Sequence, residues 1–375
     1  MSPPAFDGTL LAVGSATLHT VHGDFTAHRF HDLAAQHPML VVSAGDLRSP
    51  APLRARVHSS CITSEAYGGC DCDCAEQLDA TLAHLAQAGR GAIFYLTQEG
   101  RGAGFVAKAR DRMLVQASGQ RLTTFDAYAQ LGLPDDQRRY AEVPAACRLL
   151  GITAPLVLLT NNPTKVGALA QAGVAVAGTE PFALAASPYN QHYLAAKSDA
   201  GHRVDAPAAD AATAALPEGV EAFAPHPLPA APRFLRLASY LLPLRLGAPV
   251  WFRVHVYFDT VRGVERVVLS YGADEAPLVR VEPETIERRF PLRRRPYWRR
   301  AAEAIVAHGA GRVLFVPAAD AVDPAALDLL ATHVGPQAQL LVDAETASAG
   351  DDALAAALAG RGVAMGAPLV LGAAA

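Results

Sequence analysis

Residues 156–173 read LVLLTNNPTKVGALAQAG, which is the pattern of a strand, a turn and a helix. The apolar run LVLLT (156–160) has the length and composition of a buried strand. Asn162 is placed to cap the helix that follows, Pro163 suits its first turn, and Gly173 suits its end. The free N–H groups at such a helix start can bind an anion. This unit predicts an α/β fold with a phosphate-binding turn.

A second unit of the same kind lies upstream. Leu78, Leu82 and Leu85 recur at helical spacing, and GAIFYLTQ (91–98) is typical of another buried strand, leading into the glycine-rich QEGRGAG (98–104). The first half of the chain therefore predicts a mixed α/β (α+β) domain over residues 1–203.

Residues 204–232 are rich in Ala and Pro without sustained periodicity, which predicts an interdomain linker. Beyond it, WFRVHVYF (251–258) alternates and GVERVVLSYG (263–272) is a candidate hairpin partner. We expect a second, smaller α/β domain over residues 233–375, and we expect a 1–205 fragment to fold alone. Its remaining predicted elements are strands at 312–317 and 339–343, a helix opened by Asp323 and Pro324, and a helix near 351–360.

The bulk composition limits the function classes. The 375 residues exceed what one hydrophobic core usually serves, which favours two domains. The net charge of -4 gives no basic excess of the kind that nucleic-acid binding favours, so no nucleic-acid partner is expected. No apolar run reaches membrane-spanning length and the start lacks a secretory pattern, so we expect a cytoplasmic protein without a membrane partner.

Four of the five cysteines lie within residues 61–74, which favours a metal site over a disulfide framework. Cys61, Cys72 and Cys74 form a C-x10-C-x-C pattern. Three thiolates can hold Zn²⁺ and leave the fourth tetrahedral position to water, which is the arrangement of a catalytic site. Cys70 could instead close the site as a fourth ligand, which is the arrangement of a structural site. Spacing alone leaves both open.

Several segments together resemble the GTP cyclohydrolase II family. They occur in the family's order and cover roughly residues 10–203: RVHSSC (56–61), the cysteine pattern, CAEQL (74–78), QEGRGAG (98–104), the DxR of LPDDQRRY (133–140), LLTNNPTK (158–165) and SPYNQHYLAAK (187–197). The resemblance implies hydrolytic opening of the imidazole ring of GTP with release of pyrophosphate. It also implies one zinc ion per chain, Mg²⁺ with the phosphates, and a homodimer.

The resemblance also implies residue roles. Asp136 matches the family's proton acceptor, and Arg138 matches a residue that forms a covalent guanylyl intermediate. The zinc ligands would be Cys61, Cys72 and Cys74. The GTP-holding positions would be Arg56, Val57, His58, Ser59, Ser60, Gln77, Glu99, Gly100, Arg101, Thr124, Thr160 and Lys165.

Elementary chemistry agrees with most of these roles. Lys165 lies in the first turn of a helix, where phosphate is expected. Glu99 offers carboxylate oxygens that could accept the N1–H and N2–H₂ donors of guanine. A guanidinium such as Arg138 is a poor nucleophile, because its pKa exceeds about 12. Stabilising charge on the α-phosphate suits it equally well.

Two positions depart from the family pattern. Ser60 stands where the family has a glutamate, which removes an acceptor beside a zinc ligand. The family's Tyr slot near the metal falls within KARDRMLVQ (108–116) and is filled by either Arg112 or Met113. Neither side chain supplies a tyrosine hydroxyl. We therefore expect an enzyme that releases pyrophosphate but often stops at the formylamino pyrimidine; the alternative is that another residue substitutes for the Tyr and formate is released.

Two alternatives remain. ERRFPLRRRPYWRR (287–300) could form a phosphate or nucleic-acid patch, but a solvated strand edge and helix start is the favoured interpretation. The chain could also be a guanine-nucleotide-binding regulatory or scaffold protein that keeps the fold without turnover. Retention of Cys61, Cys72, Cys74, Asp136 and Arg138 favours the enzyme.

Overall fold

The computed structural model describes residues 5–182, 184, 186–202, 214–217, 233–273, 275–293, 297–317, 323–343 and 349–372. Two mixed sheets dominate these residues, each with packed helices. The expectation of a mixed α/β N-terminal unit followed by a second α/β unit is confirmed. The expected linker at 204–232 lies outside the described residues except for 214–217, so the domain boundaries stay a prediction.

The first sheet has the strand order β1-β2-β3-β4-β6-β5-β7-β8. Strands β1 to β4 pair antiparallel, whereas β5, β6, β7 and β8 run parallel. The two halves meet at the antiparallel β4–β6 pair. The strands are β1 (Phe6–Asp7), β2 (Leu10–Thr20), β3 (Gly23–Asp32), β4 (His37–Ala44), β5 (Leu53–Ser59), β6 (Gly91–Leu96), β7 (Leu156–Leu159) and β8 (Val176–Glu180).

Helices cover both faces of this sheet, and the predicted helix ends are confirmed. Asn162 accepts a hydrogen bond from the Lys165 N–H at the start of α6, and Gly173 follows its end with a positive φ. The helices are α1 (Ile62–Glu65), α2 (Cys74–Ala88), α3 (Phe105–Ala117), α4 (Thr124–Gln130), α5 (Glu142–Leu150), α6 (Pro163–Gln171) and α7 (Gln191–Asp199).

The buried strand β6 explains why helices are needed on both faces. All of its residues are buried. Ile93 and Tyr95 pack with the leucines of α2, while Phe94 and Leu96 pack in the cluster that includes α5 and α6. Alternate side chains of a strand point to opposite faces, so a wholly apolar strand requires cover on each side.

The second sheet has the order β15-β14-β12-β13-β11-β10-β9, with β16 paired to β14. Its elements are β9 (Phe234–Leu246), β10 (Ala248–Asp259), β11 (Val264–Tyr271), β12 (Leu278–Glu284), α8 (Tyr297–His308), β13 (Gly311–Pro317), α9 (Pro324–Ala331), β14 (Gln337–Asp343), α10 (Ala349–Gly360), β15 (Ala364–Met365) and β16 (Leu369–Leu371). Along the part of the chain that the structure describes, no helix combines the length and apolarity needed to cross a bilayer.

The predicted hairpin and helix of the second half are confirmed. Strands β10 and β11 pair antiparallel with Asp259 opposite Val264. Asp323 caps α9 by accepting a hydrogen bond from the Ala325 N–H. The long strand β9, which pairs with β10, had no counterpart among the predicted elements.

The two sheets share a hydrophobic core. Tyr67 and Met113 from the first half lie in one cluster with Phe252 and Trp298 from the second. Gly69 lies so close to the second unit that a Cβ there would come within 2.6 Å of Leu242 and 2.8 Å of the Thr63 carbonyl oxygen. This packing argues against the expectation that a 1–205 fragment folds alone.

The arginine-rich segment at 287–300 is held by carboxylates. Each described arginine there forms an ion pair, which supports the structural interpretation, while Arg294 and Arg295 lie outside the described residues. The pairs are Arg288–Glu282, Arg289–Glu284, Arg293–Asp24, Arg299–Glu303 and Arg300–Asp343.

Candidate active site

The parallel strands of the first sheet end at one cleft. Cys61 follows β5, Glu99 follows β6, Thr160 follows β7 and Phe182 follows β8. In the sheet, β5 lies between β6 and β7. The chain first crosses from β5 to β6 on one side, and then passes back from β6 to β7 on the other side of β5. A crevice forms at such a reversal, outside the carboxyl ends of the strands, and it is where open α/β sheets bind ligands.

Cys61, Cys72 and Cys74 come together in this cleft. Their sulfur atoms all lie within 4.8 Å of one another, and the Cys61 and Cys72 sulfurs are 3.6 Å apart. Hydrogen bonds from Cys72 and Cys74 hold the pKa of Cys61 well below its ordinary value, and the same bonds raise the pKa of the other two thiols. Three converging sulfur ligands fit a zinc ion, which deprotonates the thiols it binds.

Cys70 points away from this cluster. Its thiol donates to the Pro243 carbonyl oxygen at 3.3 Å, in the second unit. Burial and then the nearby Asp71 raise the pKa of Cys70 to about 11, and Cys70 is not among the three cysteines whose sulfur atoms converge. The arrangement of three cysteines without Cys70 favours the open site over the closed one.

Lys108 is a residue of the cleft that the sequence did not indicate. Its Nζ donates to the Cys61 sulfur at 3.0 Å and to one oxygen of Glu99. Burial lowers the pKa of Lys108, but the charges of Cys61 and Glu99 together raise it above its ordinary value. The other oxygen of Glu99 accepts from the Ile62 N–H at 2.9 Å. Both oxygens of Glu99 therefore already accept protein donors, and its expected role in reading guanine stays a prediction.

The GRG turn after β6 places the DxR segment. Arg101 has a φ of 53°, in the left-handed region, and its carbonyl oxygen accepts from the Gln137 N–H at 2.9 Å. A Cβ at Gly102 would lie 2.7 Å from the Gln137 carbonyl carbon and 2.9 Å from the Arg138 nitrogen. Only glycine allows that approach without a shift of backbone.

Asp136 and Arg138 hold each other. Arg138 Nε donates to the Asp136 oxygens at 2.9 and 3.1 Å. Burial opposes both charges, but these hydrogen bonds lower the pKa of Asp136 and raise the pKa of Arg138. Arg138 is thus a fixed cation, which fits charge stabilisation better than nucleophilic attack.

A cationic pocket adjoins the cysteine cluster. Arg56, Arg138, Lys165 and Lys197 line it together with the start of α6. Burial, followed by the charges of Arg138 and Arg56, holds the pKa of Lys165 well below its ordinary value. Burial likewise lowers the pKa of Arg56 to about 10. So many buried cations at a helix start favour a polyphosphate.

A buried hydrogen-bond network supports the cleft from below. His58 Nε2 lies 2.7 Å from a Glu65 oxygen, which also accepts from the Cys61 N–H at 3.1 Å. Tyr95 donates to the other oxygen of Glu65 and is itself hydrogen-bonded to Arg289 of the second unit. The sequence did not indicate this network, because Tyr95 and Arg289 join His58 and Glu65 only in the fold.

Comparisons with known proteins agree with this geometry. Residues 11–181 match the GTP cyclohydrolase II family model. GTP cyclohydrolase-2 of Escherichia fergusonii is 39% identical over 189 residues, which cover 50% of this chain and 93% of the relative. GTP cyclohydrolase-2 of Pectobacterium atrosepticum is 38% identical over 197 residues, which cover 52% and 98%. The chain belongs to the GTP cyclohydrolase II family.

The family is one of hydrolases, and these two relatives cover about half of the chain. Among solved structures, the two-domain 3,4-dihydroxy-2-butanone 4-phosphate synthase RibBX of A. baumannii is 15% identical with a TM-score of 0.27. The alignment covers 48% of this chain and 41% of the RibBX chain. This likeness is too low to define the fold.

Arg112 and Met113, the two candidates for the Tyr slot of GTP cyclohydrolase II, face different surroundings. Arg112 lines the pocket of the three cysteines and donates to Asp71 at 2.7 Å. Met113 turns into the core shared with the second unit. Asp111 lines the same pocket as Arg112 and lies just before it on α3.

Most residues that the resemblance to GTP cyclohydrolase II implied do meet in the cleft. The cysteine pocket includes Ser59, Ser60, Glu99, Gly100, Arg101, Thr124 and Arg138. The cationic pocket includes Arg56, His58, Ser59, Gln77, Thr160 and Lys165. Val57 is buried in β5, where its carbonyl oxygen accepts from Lys165 Nζ at 3.0 Å. Asp136 reaches the cleft only through Arg138.

Proposed function

We propose that this protein opens the imidazole ring of GTP by hydrolysis, releases pyrophosphate, and retains the formyl group on the resulting pyrimidine. One observation carries the proposal: the cysteine pocket and the cationic pocket are neighbours that share Ser59, Cys74, Arg138 and Tyr193. A triphosphate in the second pocket would bring the purine to the first. Zinc at the three cysteines and Mg²⁺ at the phosphates complete this proposal.

The cationic pocket suits the triphosphate. Arg56 and Lys197 offer charge from different elements, and Lys165 gains charge when a phosphate binds beside it. Gln77 donates its amide to one oxygen of Asp73, whose other oxygen accepts from Lys197 Nζ at 2.7 Å. Arg138 lies where the two pockets meet, so its fixed charge would face the α-phosphate as pyrophosphate leaves. Asp136 orients Arg138 by hydrogen bonds to its Nε.

Cys61, Cys72 and Cys74 would hold the zinc ion, which when bound would lower the pKa of a water to about 7 and supply hydroxide at neutral pH. Lys108 lies against the Cys61 sulfur and Glu99, so its charge balances the cluster. Glu65 fixes the backbone at Cys61 by accepting its N–H. These contacts position the sulfur atoms before any ligand arrives.

The reaction balances with two waters. One cleaves the bond between the α- and β-phosphates, and the other adds at C8 as the C8–N9 bond breaks. The products are pyrophosphate and a formylamino ribosylaminopyrimidine phosphate. A third water would be needed to cleave the formamide and release formate.

The residues near the cluster argue against that third step. Arg112 fills the slot where the family resemblance implies Tyr, and its Nε is held by Asp71. A guanidinium has no acceptor and no general-base capacity. Ser60 lies 3.5 Å from Glu99 and brings no carboxylate of its own. Loss of one positioned hydrogen-bonding group typically costs roughly a hundredfold or more in rate.

The test is a reaction of the zinc-loaded full-length protein with GTP and Mg²⁺, followed by assays for pyrophosphate and formate and by mass spectrometry of the pyrimidine. We expect pyrophosphate, little formate and a formylated product. Arg112→Tyr should raise the ratio of formate to pyrophosphate. Formate equal to pyrophosphate in the unaltered protein would contradict formyl retention. Binding of GTP without any pyrophosphate would favour the regulatory alternative.

A further inference from the structure

Asp111 is a buried carboxyl group that neither the resemblance nor the proposed mechanism uses. Its exposed fraction is 4%, and it lies on α3 among the residues that line the cysteine pocket. Its Oδ2 accepts from the Thr124 hydroxyl at 2.9 Å. Its Oδ1 is buried and has no hydrogen-bond partner among the described residues. A buried acceptor without a donor is costly, so a ligand that supplies one is expected.

The position of Asp111 along the cleft matches one end of a guanine nucleotide. Cys74 lines both the cationic pocket and the cysteine pocket. Asp111 lines the cysteine pocket and the adjoining pocket that the second unit closes with Trp251. The order along the cleft is thus cations, cysteines, Asp111. In GTP the order is phosphates, then C8 beside the ribose-bearing N9, then the N1 and N2 edge.

The geometry points to Asp111 as the residue that selects guanine, by accepting the N1–H and N2–H₂ donors of the base. This assignment rests on the proposed function, since it takes the substrate to lie with its phosphates at Lys165. Adenine presents an acceptor at N1 and has no amino group at C2, so it would leave Oδ1 without a donor. A site built to accept such donors rejects an analogue that lacks them.

Two observations favour Asp111 over Glu99 as the acceptor of the guanine N1–H and N2–H₂ donors. Glu99 already accepts from Lys108 and from the Ile62 N–H. Burial raises the pKa of Asp111 to about 6, while Arg112, Thr124, Arg101 and Lys108 oppose that rise. The carboxyl is therefore mostly ionised at neutral pH and accepts at both oxygens.

The experiment compares GTP with ITP, whose base keeps N1–H but lacks the 2-amino group. Pyrophosphate release and equilibrium binding are measured for the zinc-loaded full chain and for Asp111→Asn. We expect the unaltered protein to prefer GTP over ITP by about tenfold or more, as for loss of one hydrogen bond to a charged group. Asp111→Asn should bring that preference to within a few-fold. Asp199→Asn, an exposed residue at the end of α7, is the matched control and should keep it.

Each outcome decides the assignment. A purely structural role for Asp111 would lower kcat/KM for GTP and ITP by the same factor, and an unchanged ratio overturns the inference. If the unaltered protein releases no pyrophosphate, the proposed function fails while the binding ratio still tests Asp111. If Asp111→Asn does not fold, as judged by Tm and zinc content, the same ratios are measured for Asp111→Ser.

Discussion

The indole N–H of Trp298 donates to the main-chain carbonyl oxygen of Tyr67 at 2.9 Å. Trp298 belongs to α8 of the second unit, and Tyr67 lies between Cys61 and Cys72. Two further backbone bonds join the same segment to β9, from the Cys70 N–H to Pro243 at 2.9 Å and from the Arg245 N–H to Gly68 at 3.0 Å. The second unit thereby forms part of the support for the metal-binding segment.

Replacing Trp298 should therefore weaken the cysteine site as well as the fold. Trp298→Ala removes a buried ring and should lower the free energy of unfolding by about 3 to 5 kcal/mol. Trp298→Phe keeps most of the packing but leaves the Tyr67 carbonyl without its donor, at a cost of about 1 to 3 kcal/mol. Denaturant unfolding measures both, and zinc content after dialysis against a weak chelator should fall in the same order.

A fragment that lacks the second unit tests the same support of the metal-binding segment. If a fragment ending at residue 202 stays folded and retains zinc as well as the full chain, then the second unit does not support the metal-binding segment. The shared cluster of Tyr67, Met113, Phe252 and Trp298 argues that such a fragment exposes apolar surface and aggregates.

Replacing a cysteine should affect zinc binding only where its sulfur belongs to the cluster of three. Cys72→Ser removes one of three converging sulfur ligands and should lose zinc and turnover. Cys70→Ser should retain both, because its thiol faces Pro243 in the second unit. Zinc per chain, measured by elemental analysis, distinguishes the two variants. Equal loss of zinc in Cys70→Ser would mean that Cys70 is a ligand and the site is closed.

Local signals in the sequence were enough for the parts of the site that one segment determines. Asn162 and Pro163 mark the start of α6 because capping is a local interaction, and the structure confirms both. The cysteine spacing indicated a metal site because its three sulfur ligands lie within one segment, residues 61–74.

Long-range relationships could not be derived in the same way. Arg112 and Met113 are neighbours in the chain, yet one faces the cysteines and the other the core. Which of them faces the cleft depends on the rotation of α3, which β9 fixes from more than a hundred residues away. Lys108 and Asp111 were missed for the same reason. Lys197 lay within the quoted SPYNQHYLAAK segment, but its pairing with Asp73 appears only in the fold.

Asp111 should also destabilise the protein in a pH-dependent way. Burial raises its pKa from 3.8 to about 6, so between these values the folded state binds a proton that the unfolded state has lost. Stability therefore falls as the pH rises through this window. The full penalty, on the order of 3 kcal/mol, is present above pH 6 or so. Asp111→Asn lacks it and should be the more stable protein at neutral pH.

Chemical denaturation of the unaltered protein and of Asp111→Asn across this pH range tests which of the two is the more stable. The stability advantage of Asp111→Asn should grow between about pH 4 and about pH 6 and then level off. The pKa values of the neighbouring Arg112 and Lys108 are raised, so both keep their charge over this range and contribute no titration of their own. An advantage for the unaltered protein at neutral pH would mean that its carboxylate already has a favourable partner without ligand.

Lys165 should take up a proton when a polyphosphate binds. Burial and the charges of Arg138 and Arg56 hold its pKa well below the ordinary value in the ligand-free protein. A phosphate group beside it favours the charged form, so binding should raise the pKa and draw a proton from solvent. Calorimetric titration with pyrophosphate in buffers of different ionisation enthalpy measures this uptake.

Lys197 supplies the matched comparison within the same pocket. Burial lowers the pKa of Lys197, but Tyr193 and Asp73 together raise it above its ordinary value. This lysine is therefore already charged before pyrophosphate binds. Lys197→Met should weaken pyrophosphate binding yet leave proton uptake in place. Lys165→Met should weaken binding and abolish uptake. Uptake that persists in Lys165→Met would assign the proton to another group and would remove the reason for placing the phosphates at the start of α6.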